Sequence, residues 1–469
     1  MSAEIDRVDP DAPDGDERYG LTWVGKRAAV RSLRTPTVAT LRPVPEASVD
    51  FDAARNVFVE GDNLDVLKLL RGAYAGAVKL SYIDPPYNTG NGFVYDDRFA
   101  GGRQGHRRHS RWLSMMYPRL ALARELLTSD GVLAVSIDSN EYARLTLLLD
   151  ELFGEENHLT TFVWAGNLKG RQISGGGAVG THEYIVCYAR DAARVGQFRG
   201  SLSRLSALMP AVYRPSSYPV KHDARGPYVT KNELHNTNSK FNERTAPTMV
   251  FRIHYHPETA EVRVTDIDDE QTFPGFLTAM PHPNARLGLQ WHAWRWSRGR
   301  VLADRDDLEF AVTGGRLRIR TKVRDVDSTA VKDLIVGPSI ATAQADLKAL
   351  GLGGVFETPK PVALLQLLVA TATGPDDLVL DFFAGSGSTA HAVAVQNAQD
   401  GGRRGCISVN LPEPVPPDST AARAGFATVS EITLARLRKV LEVVPGAEEL
   451  GLRVLRVVPG GPTAPETVG

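Results

Sequence analysis

The residues best suited to chemistry form the tetrapeptide Asp84-Pro85-Pro86-Tyr87, directly after an apolar run at 80–83. Two consecutive prolines fix φ and remove two backbone donors, so a strand has to end there and its end is held rigidly. In open α/β sheets, ligands bind at the carboxyl ends of the strands. A strand-terminating turn with an aspartate cap is the alternative for any one of these residues, but an acid, a diproline and an aromatic ring together are a rarer combination.

This combination suits the methylation of an aromatic amine. The lone pair of such an amine is delocalised into the ring, so the nitrogen is a poor nucleophile until its hydrogens are held in a way that favours a tetrahedral nitrogen. The Asp84 carboxylate and the Pro85 carbonyl can accept these hydrogens, and the diproline preorganises both acceptors. Tyr87 can stack on a base that has left a duplex, which contributes ~1–3 kcal/mol. We therefore predict that Asp84, Pro85, Pro86 and Tyr87 are catalytic.

A second candidate site is the glycine-rich turn DFFAGSGST at 381–389, which follows the apolar run 378–380. Glycines between a strand and a helix let a ligand approach the backbone closely, and the first amide groups of the helix are exposed to it. The turn lacks the lysine of a phosphate-binding loop and the G-x-G-x-x-G spacing of a dinucleotide site. Nucleoside triphosphates and NAD are therefore disfavoured as its ligand.

The elements that must position these two sites alternate between strand and helix patterns. At 21–160, and again at 346–458, short β-branched runs alternate with longer helical patterns, which predicts βαβ units and a parallel sheet. Residues 161–345 lose this alternation and show polar strand-like pieces, turn residues and scattered tryptophans, which predicts an inserted mixed α+β domain. The acidic segment 1–20 and the tail 459–469 have too little apolar content to order themselves, so we predict that both are disordered.

The formal net charge of −1 gives no whole-protein signal for nucleic acid, so any such contact has to come from local basic patches. Arginine-rich stretches at 98–111 and 286–300 are candidates, and the second contains Trp291, Trp294 and Trp296. Solvated arginines and packed tryptophans are the commoner explanation of such stretches.

Two cysteines, Cys187 and Cys406, cannot form a disulfide framework or a cysteine zinc site. His182 and Glu183 have no further ligand at a suitable spacing, so we predict no metal site. We find no signal peptide and no apolar stretch long enough to span a bilayer. These features predict a cytoplasmic protein without a membrane partner.

The motif IDPPYNTG at 83–90, together with DFFAGSGST, resembles those of the amino-methyltransferases of DNA. The catalytic motif comes first and the cofactor motif last, an order similar to that of the β class. The stretches LTWVGK, VEGDNLDVLKLL, THEYIVCYAR, FETPKPVALL and SEITLARLRK resemble the adenine-specific modification subunits of type III restriction-modification systems. Over 21–458, the resemblance implies a Rossmann-like class I S-adenosylmethionine-dependent methyltransferase fold in circularly permuted order. Its catalytic half would be 21–160, its target-recognition domain 161–345 and its cofactor half 346–458.

The resemblance also implies the residues of the site. Thr358 to Pro361 would close over the methionine carboxylate of the cofactor, or simply begin a helix. Asp62 would lie near the cofactor adenine, or cap the next helix. Relatives hold the ribose with an acidic residue where this chain has Asn410, with Glu413 three residues later, so either could hold it. The full predicted cofactor set is Asp62, Asn63, Thr358, Pro359, Lys360, Asp381, Phe382, Phe383, Ala384, Gly385, Ser386, Gly387, Thr389 and Asn410. The candidate DNA contacts are Arg103, Arg107, Arg108, Arg111, Arg295 and Arg298.

The expected function is transfer of a methyl group to the N6 amine of a flipped adenine in double-stranded DNA, within a restriction-modification or phage-defence system. Aspartate rather than serine at position 84 favours adenine over the N4 amine of cytosine, which is the nearest alternative. A non-catalytic DNA-recognition subunit with the same fold is the second alternative, although both motifs look intact. We expect a homodimer, with a restriction or defence subunit as a further partner.

Overall fold

The computed structural model describes residues 20–89, 105–170, 178–215, 218–284, 288–314 and 316–460. The predicted disordered segments, apart from Gly20, Pro459 and Gly460, lie outside these residues, as does Arg103. The chain divides into two compact units. We call Met1–Arg214 with Thr329–Gly469 the α/β unit, and Pro215–Ser328 the inserted unit. None of the described helices is long and apolar enough to cross a membrane.

The strands are short except for β4. In chain order they are β1 Thr40–Pro43, β2 Val57–Glu60, β3 Val78–Ile83, β4 Leu127–Ile137, β5 His158–Trp164, β6 Glu183–Ala189, β7 Arg199–Ser201, β8 Lys221–Asp223, β9 Gly226–Glu233, β10 Phe251–Tyr255, β11 Val262–Asp266, β12 Leu277–Ala279, β13 Leu308–Thr313, β14 Arg316–Val323, β15 Ser328–Ala330, β16 Leu334–Ile335, β17 Leu378–Asp381, β18 Gly405–Asn410 and β19 Arg453–Val458.

The longest described helix, α3, follows the predicted catalytic tetrapeptide in the chain. In chain order the helices are α1 Lys26–Arg34, α2 Asn63–Tyr74, α3 Gly105–Leu126, α4 Tyr142–Phe153, α5 Leu202–Leu208, α6 Arg298–Ala303, α7 Ile340–Ala349, α8 Val362–Ala372, α9 Ser388–Asp400, α10 Thr420–Arg423 and α11 Val429–Val443.

The α/β unit is built around a ten-stranded sheet in the order β1-β19-β2-β18-β17-β3-β4-β6-β5-β16. From β19 to β4 the strands are parallel, whereas β6 is antiparallel to both β4 and β5. The strands of the two motifs, β3 and β17, lie side by side with Ser81 opposite Leu380, although the inserted unit separates them in the sequence. This adjacency is what the permuted order predicts, and the sheet confirms the predicted α/β fold class.

Helices cover both faces of the sheet because strand side chains alternate between the faces. On one face, Leu133 and Val135 of β4 belong to a core that includes α2, α3 and α4. On the other face, Val132 and Ala134 belong to a core that includes α8 and α9. Helices therefore bury both faces of the sheet. The predicted catalytic motif and the glycine-rich motif meet at the edge where the carboxyl ends of the parallel strands lie.

The inserted unit is narrower than the predicted domain at 161–345. Strands β5, β6, β7 and β16 and helices α5 and α7 belong to the α/β unit instead. The stretch HEYIVCYAR is one of the polar strand-like pieces that were predicted for the insertion. It contains β6, in which Ile185, Val186, Cys187 and Tyr188 are buried. A strand buried on both faces shows a continuous apolar run rather than an alternation, so its pattern does not reveal which sheet it joins.

The inserted unit contains a three-stranded sheet, β11-β10-β12, a four-stranded sheet, β13-β14-β9-β8, and the short helix α6. Its core includes Phe251, Ile319 and Trp294. The Trp294 indole is buried and donates from Nε1 to the Phe251 carbonyl at 2.8 Å, so this tryptophan has a packing role. The unit is therefore mixed α+β, as the turn-rich texture of its sequence predicts.

Candidate active site

A cavity of about 250 Å³ lies at the carboxyl ends of β3 and β17, where the predicted catalytic tetrapeptide and the glycine-rich turn begin. All of the predicted cofactor residues except Gly387 line it, as do Asp84 and Pro86 of the tetrapeptide and Glu413, the second candidate for the ribose. Its remaining lining residues were not predicted; they are Tyr82, Met115, Arg119, Phe356, Leu365, Ser388, Leu411 and Val429.

Asp84 lies at the centre of a cluster of charged and phenolic groups. Lys360 Nζ donates to both carboxylate oxygens of Asp84, each at 2.8 Å. The Tyr87 hydroxyl contacts Asp84 Oδ1 at 2.8 Å and Glu183 Oε2 at 3.1 Å. Lys360 also lies 3.6 Å from Glu183 Oε2. Lys360, predicted to hold the cofactor, is therefore bound to the predicted catalytic carboxylate.

The charges of this cluster support one another. Burial raises the pKa of Asp84, and the adjacent Lys360 ammonium opposes that rise. Burial lowers the pKa of Lys360, but Asp84 and Glu183 together raise it above its usual value. Lys360 therefore stays protonated and favours the ionised form of Asp84. An ionised carboxylate is purely a hydrogen-bond acceptor, which is the form that can hold the hydrogens of an amine.

The loop around Asp84 is fixed by side chains of other elements. Trp112 of α3 donates from Nε1 to the Pro86 carbonyl at 2.6 Å. Asn88 has a left-handed backbone with φ 58°, and its side-chain amide donates to the buried Glu141 carboxylate at 2.5 Å. No donor in the described part of the chain contacts the Pro85 carbonyl. That carbonyl is thus held rigidly without a donor, but Pro85 is buried and, like Tyr87, is not among the residues that line the cavity.

The glycine-rich turn is organised by the buried Asp381 carboxylate, which accepts from the Phe383 amide at 3.0 Å and the Thr389 hydroxyl at 2.5 Å. Gly385 and Gly387 have φ values of 51° and 80°, in the left-handed region that favours glycine. A Cβ atom at Gly387 would lie 2.6 Å from Leu437 Cδ1. Gly387 therefore allows the turn to pack against α11, which is why it is absent from the lining of the cavity.

Asp62 caps α2, accepting from the Leu64 amide at 2.8 Å, so the capping alternative is realised. The same carboxylate accepts from Arg119 of α3 at 3.1 Å, and Arg119 also donates to Asn63 Oδ1 at 2.5 Å. Asn63 in turn donates to the Phe382 carbonyl at 2.8 Å. These contacts connect α2, α3 and the glycine-rich turn along one wall of the cavity.

Asn410, at the end of β18, also contacts the glycine-rich turn. Its side-chain amide donates to the Gly385 carbonyl at 3.0 Å and to the Thr433 hydroxyl at 2.8 Å. The amide nitrogen of Asn410 thus holds the glycine-rich turn, and Glu413 supplies a carboxylate to the same cavity. Both residues therefore stay candidates for the ribose, because the side-chain oxygen of Asn410 and the carboxylate of Glu413 can each accept a hydrogen bond from a hydroxyl.

The cavity fits S-adenosyl-L-methionine, which carries an adenine ring, a sulfonium cation and an amino-acid group. The carboxylate of Asp381 suits a positive charge of the cofactor, and the rings of Phe356 and Phe383 suit its apolar parts. At Gly385 the backbone itself forms part of the wall, so a ligand can approach it closely.

The candidate DNA contacts lie in both units. In the α/β unit, Arg107 and Arg111 are exposed on α3 and Arg108 is half-buried beside His109. In the inserted unit, Arg295 is exposed, whereas Arg298 forms an ion pair with Asp266 at 2.5 Å. No group of metal-ligating side chains occurs among the residues that the structure describes. The His182 imidazole instead contacts the Tyr184 hydroxyl at 3.1 Å.

A family model described as a DNA methylase, N6_N4_Mtase, matches residues 78–410. The chain is 32% identical to the Mod subunit of the type III restriction-modification enzyme EcoPI of Escherichia phage P1, over 94% of this chain and 72% of that subunit. It is 31% identical to the StyLTI Mod subunit of Salmonella typhimurium, over 90% of this chain and 63% of that subunit.

Among solved structures, a putative DNA modification methylase from Thermus thermophilus, complexed with S-adenosyl-L-methionine, is 14% identical, with a TM-score of 0.38. That match covers 86% of this chain and 98% of the other. The family match spans more than half of the chain and both strands of the cavity, and the EcoPI subunit is matched over most of its length. The chain accordingly belongs to the N6_N4_Mtase family of DNA methylases and is an S-adenosyl-L-methionine-dependent DNA methyltransferase related to the modification subunits of restriction-modification systems.

Proposed function

We propose that this chain transfers a methyl group from S-adenosyl-L-methionine to the N6 amine of an adenine flipped out of double-stranded DNA at a specific site. The observation that carries the proposal is that Asp84 and the glycine-rich turn line one cavity at the ends of adjacent strands. Adenine is favoured over cytosine because position 84 is aspartate, as in the adenine-specific modification subunits that the sequence resembles.

The cofactor supplies an electrophilic methyl group on a sulfonium. Among the described residues, Asp84 Oδ2 accepts from Lys360 alone, so this oxygen has capacity for one hydrogen of the amine. The Pro85 carbonyl accepts the other hydrogen, and the two acceptors together favour a tetrahedral nitrogen whose lone pair points towards the methyl group. Lys360 favours the ionised form of Asp84, and Tyr87 is oriented by Asp84 and Glu183 beside the base. Transfer of the methyl group would leave the cofactor as a neutral thioether and the nitrogen positively charged, and this nitrogen would then lose the proton held by Asp84 to solvent.

The inserted unit is the target-recognition domain in this proposal, with limits of 215–328. Its exposed Arg295 would contact phosphates or base edges, because arginine suits both. We further propose that the enzyme acts as a homodimer and works beside a restriction or defence subunit. The two buried cysteines and a DNA substrate are consistent with a cytoplasmic location.

The proposal is tested by expressing the chain in a host without DNA methylation and analysing the genomic DNA. Nucleoside mass spectrometry distinguishes N6-methyladenine from N4-methylcytosine, and long-read sequencing gives the position and context of each modified base. We expect N6-methyladenine in one short sequence context. Finding N4-methylcytosine instead would show that the target is cytosine. Cofactor binding without methylation of any DNA would support the non-catalytic alternative.

The arginines of α3 provide a prediction for DNA binding. Replacing Arg107 and Arg111 by glutamine should weaken DNA binding at all sequences and reduce the slope of log affinity against log salt by about 2, because two phosphate contacts would be lost. Fluorescence anisotropy over a series of salt concentrations measures both quantities. The matched control replaces the exposed Arg403 and Lys439, which do not line the cavity, by glutamine. If both variants show the same loss, α3 has no specific role in DNA binding.

Asp381 predicts a pH dependence of cofactor binding. Burial raises the pKa of Asp381 to about 7, so near neutral pH a large share of this carboxyl group is protonated. A bound cation favours the ionised form, so binding below about pH 7 should release a proton. The affinity for the cofactor should therefore rise about tenfold between about pH 6 and pH 8 and then level off. Calorimetry across this range should show that rise in the wild type and a flatter profile in Asp381→Asn; identical profiles would contradict the assignment.

A further inference from the structure

Behind the glycine-rich turn lies a buried cation, the guanidinium of Arg436 on α11. Its side chain has no exposure to solvent. Its Nη1 atom donates to the Ser386 hydroxyl at 2.9 Å and to the Ser388 hydroxyl at 2.8 Å. Its Nη2 atom lies 3.2 Å from His391 Nδ1. Burial and Arg436 itself lower the pKa of His391 to about 3, so this histidine is neutral and accepts the hydrogen bond.

The charge of Arg436 has no close counter-ion. Among the described residues, no carboxylate lies within ion-pair distance of it, and its Nε atom has no hydrogen-bond partner. Asp346 acts on it only from a greater distance. Burial lowers the pKa of Arg436 to about 10, so it remains protonated at neutral pH. An uncompensated buried charge destabilises a fold considerably, so such a residue calls for a partner of opposite charge.

The other two cations at the cavity already have such partners. Lys360 is paired with Asp84 at 2.8 Å, and Arg119 is paired with Asp62 at 3.1 Å. The resemblance assigned the methionine carboxylate of the cofactor to the segment of Lys360, but this ammonium is committed to the catalytic carboxylate. The cofactor carboxylate therefore needs a different source of positive charge.

We infer that Arg436 provides the counter-charge for the cofactor carboxylate, acting through the hydroxyls of Ser386 and Ser388. Both serines line the cavity, and both accept a hydrogen bond from Arg436 on their buried side. The two hydroxyls lie 3.3 Å apart, so one of them donates its hydrogen to the other, and the hydrogen of the second stays available to an anion in the cavity. Because both hydroxyls accept from the guanidinium, the cation polarises this pair towards an anion. Arg436 is thus a positioning residue that acts through the two serines, and this inference rests on the proposed cofactor.

The test compares two ligands that differ by one carboxylate, S-adenosyl-L-methionine and decarboxylated S-adenosylmethionine. Calorimetry on Arg436→Met should show a loss of affinity of about tenfold for the complete cofactor and little change for the decarboxylated one. Arg436→Lys should restore a large part of the difference because the charge returns. An equal loss for both ligands in Arg436→Met would show that the residue only supports the fold, and would overturn the inference.

A second variant tests the relay without removing the buried charge. Ser386→Ala combined with Ser388→Ala should reduce the preference for the carboxylated ligand as Arg436→Met does. If Arg436→Met does not fold, this double variant alone tests the inference. An unchanged preference in this double variant would overturn the role of the serines and with it the inference. Failure of the wild-type chain to bind either ligand would instead contradict the proposed cofactor, so the two failures are distinguishable.

Discussion

Asp84→Ala should lower the single-turnover rate of methyl transfer by about a thousandfold or more, because the amine loses its charged acceptor. Cofactor affinity should stay within about threefold of the wild type, since the contacts that connect α2, α3 and the glycine-rich turn along the wall of the cavity do not involve Asp84. Asp84→Asn should fall between the two, because its carbonyl oxygen keeps one acceptor while the charge is lost. Rapid-quench measurements with a saturating cofactor and a short duplex that contains the target site would give these rates.

A matched control for this experiment is Asp130→Asn on β4. Asp130 is also paired with a lysine, Lys79, at 2.5 Å, but it is 45% exposed and does not line the cavity. The control should transfer methyl groups at the wild-type rate. Because Asp84→Ala leaves the buried Lys360 with Glu183 as its remaining carboxylate, circular dichroism has to show that the variant is folded. Turnover at the wild-type rate in a folded Asp84→Ala variant would contradict the assignment of the catalytic site.

The two motifs could be predicted because each is a short run of consecutive residues with its own physical signature. Their convergence could be predicted as well, since the carboxyl ends of parallel strands meet at one edge of a sheet. The roles of Arg119 and Glu183 could not be predicted. Both depend on contacts between distant parts of the chain: Arg119 reaches Asp62 from another helix, and Glu183 reaches Tyr87 from an antiparallel strand.

The sequence did mark out Glu183, because it is an acidic residue directly before the apolar run of β6. Paired with His182 it suggested a metal site, and that was rejected for want of further ligands. The structure gives the two residues different environments, because Glu183 is the first residue of β6 whereas His182 precedes the strand. Glu183 is 7% exposed and lies beside Lys360, whereas His182 contacts Tyr184. Whether β6 reaches Tyr87 and Lys360 depends on the strand order, which the local pattern does not contain.

Gly385→Asp should reduce cofactor affinity by at least about thirtyfold, since two like charges repel by about 2 kcal/mol at a dielectric constant of about 20 even if they were as much as about 8 Å apart. The new carboxylate would lie in the turn that leads into α9, where exposed amide groups and the positive end of the helix favour the carboxylate of the cofactor. A Cβ atom fits there, 3.4 Å from Phe356 Cζ, so the variant should fold. Calorimetry with S-adenosyl-L-methionine measures the loss.

The backbone strain of that substitution has a matched control at the other end of the same helix. Gly401 also has a left-handed backbone, with φ 69° against 51° at Gly385, and nothing lies within 4 Å of its Cβ position. Gly401→Asp therefore adds the same side chain and a similar strain of roughly 1–2 kcal/mol, but outside the cavity. It should lower the unfolding temperature as Gly385→Asp does, while cofactor affinity stays at the wild-type value. Equal losses of cofactor affinity in the two variants would show that strain at the ends of α9 causes the effect. That result would contradict the assignment of the cavity as the cofactor site.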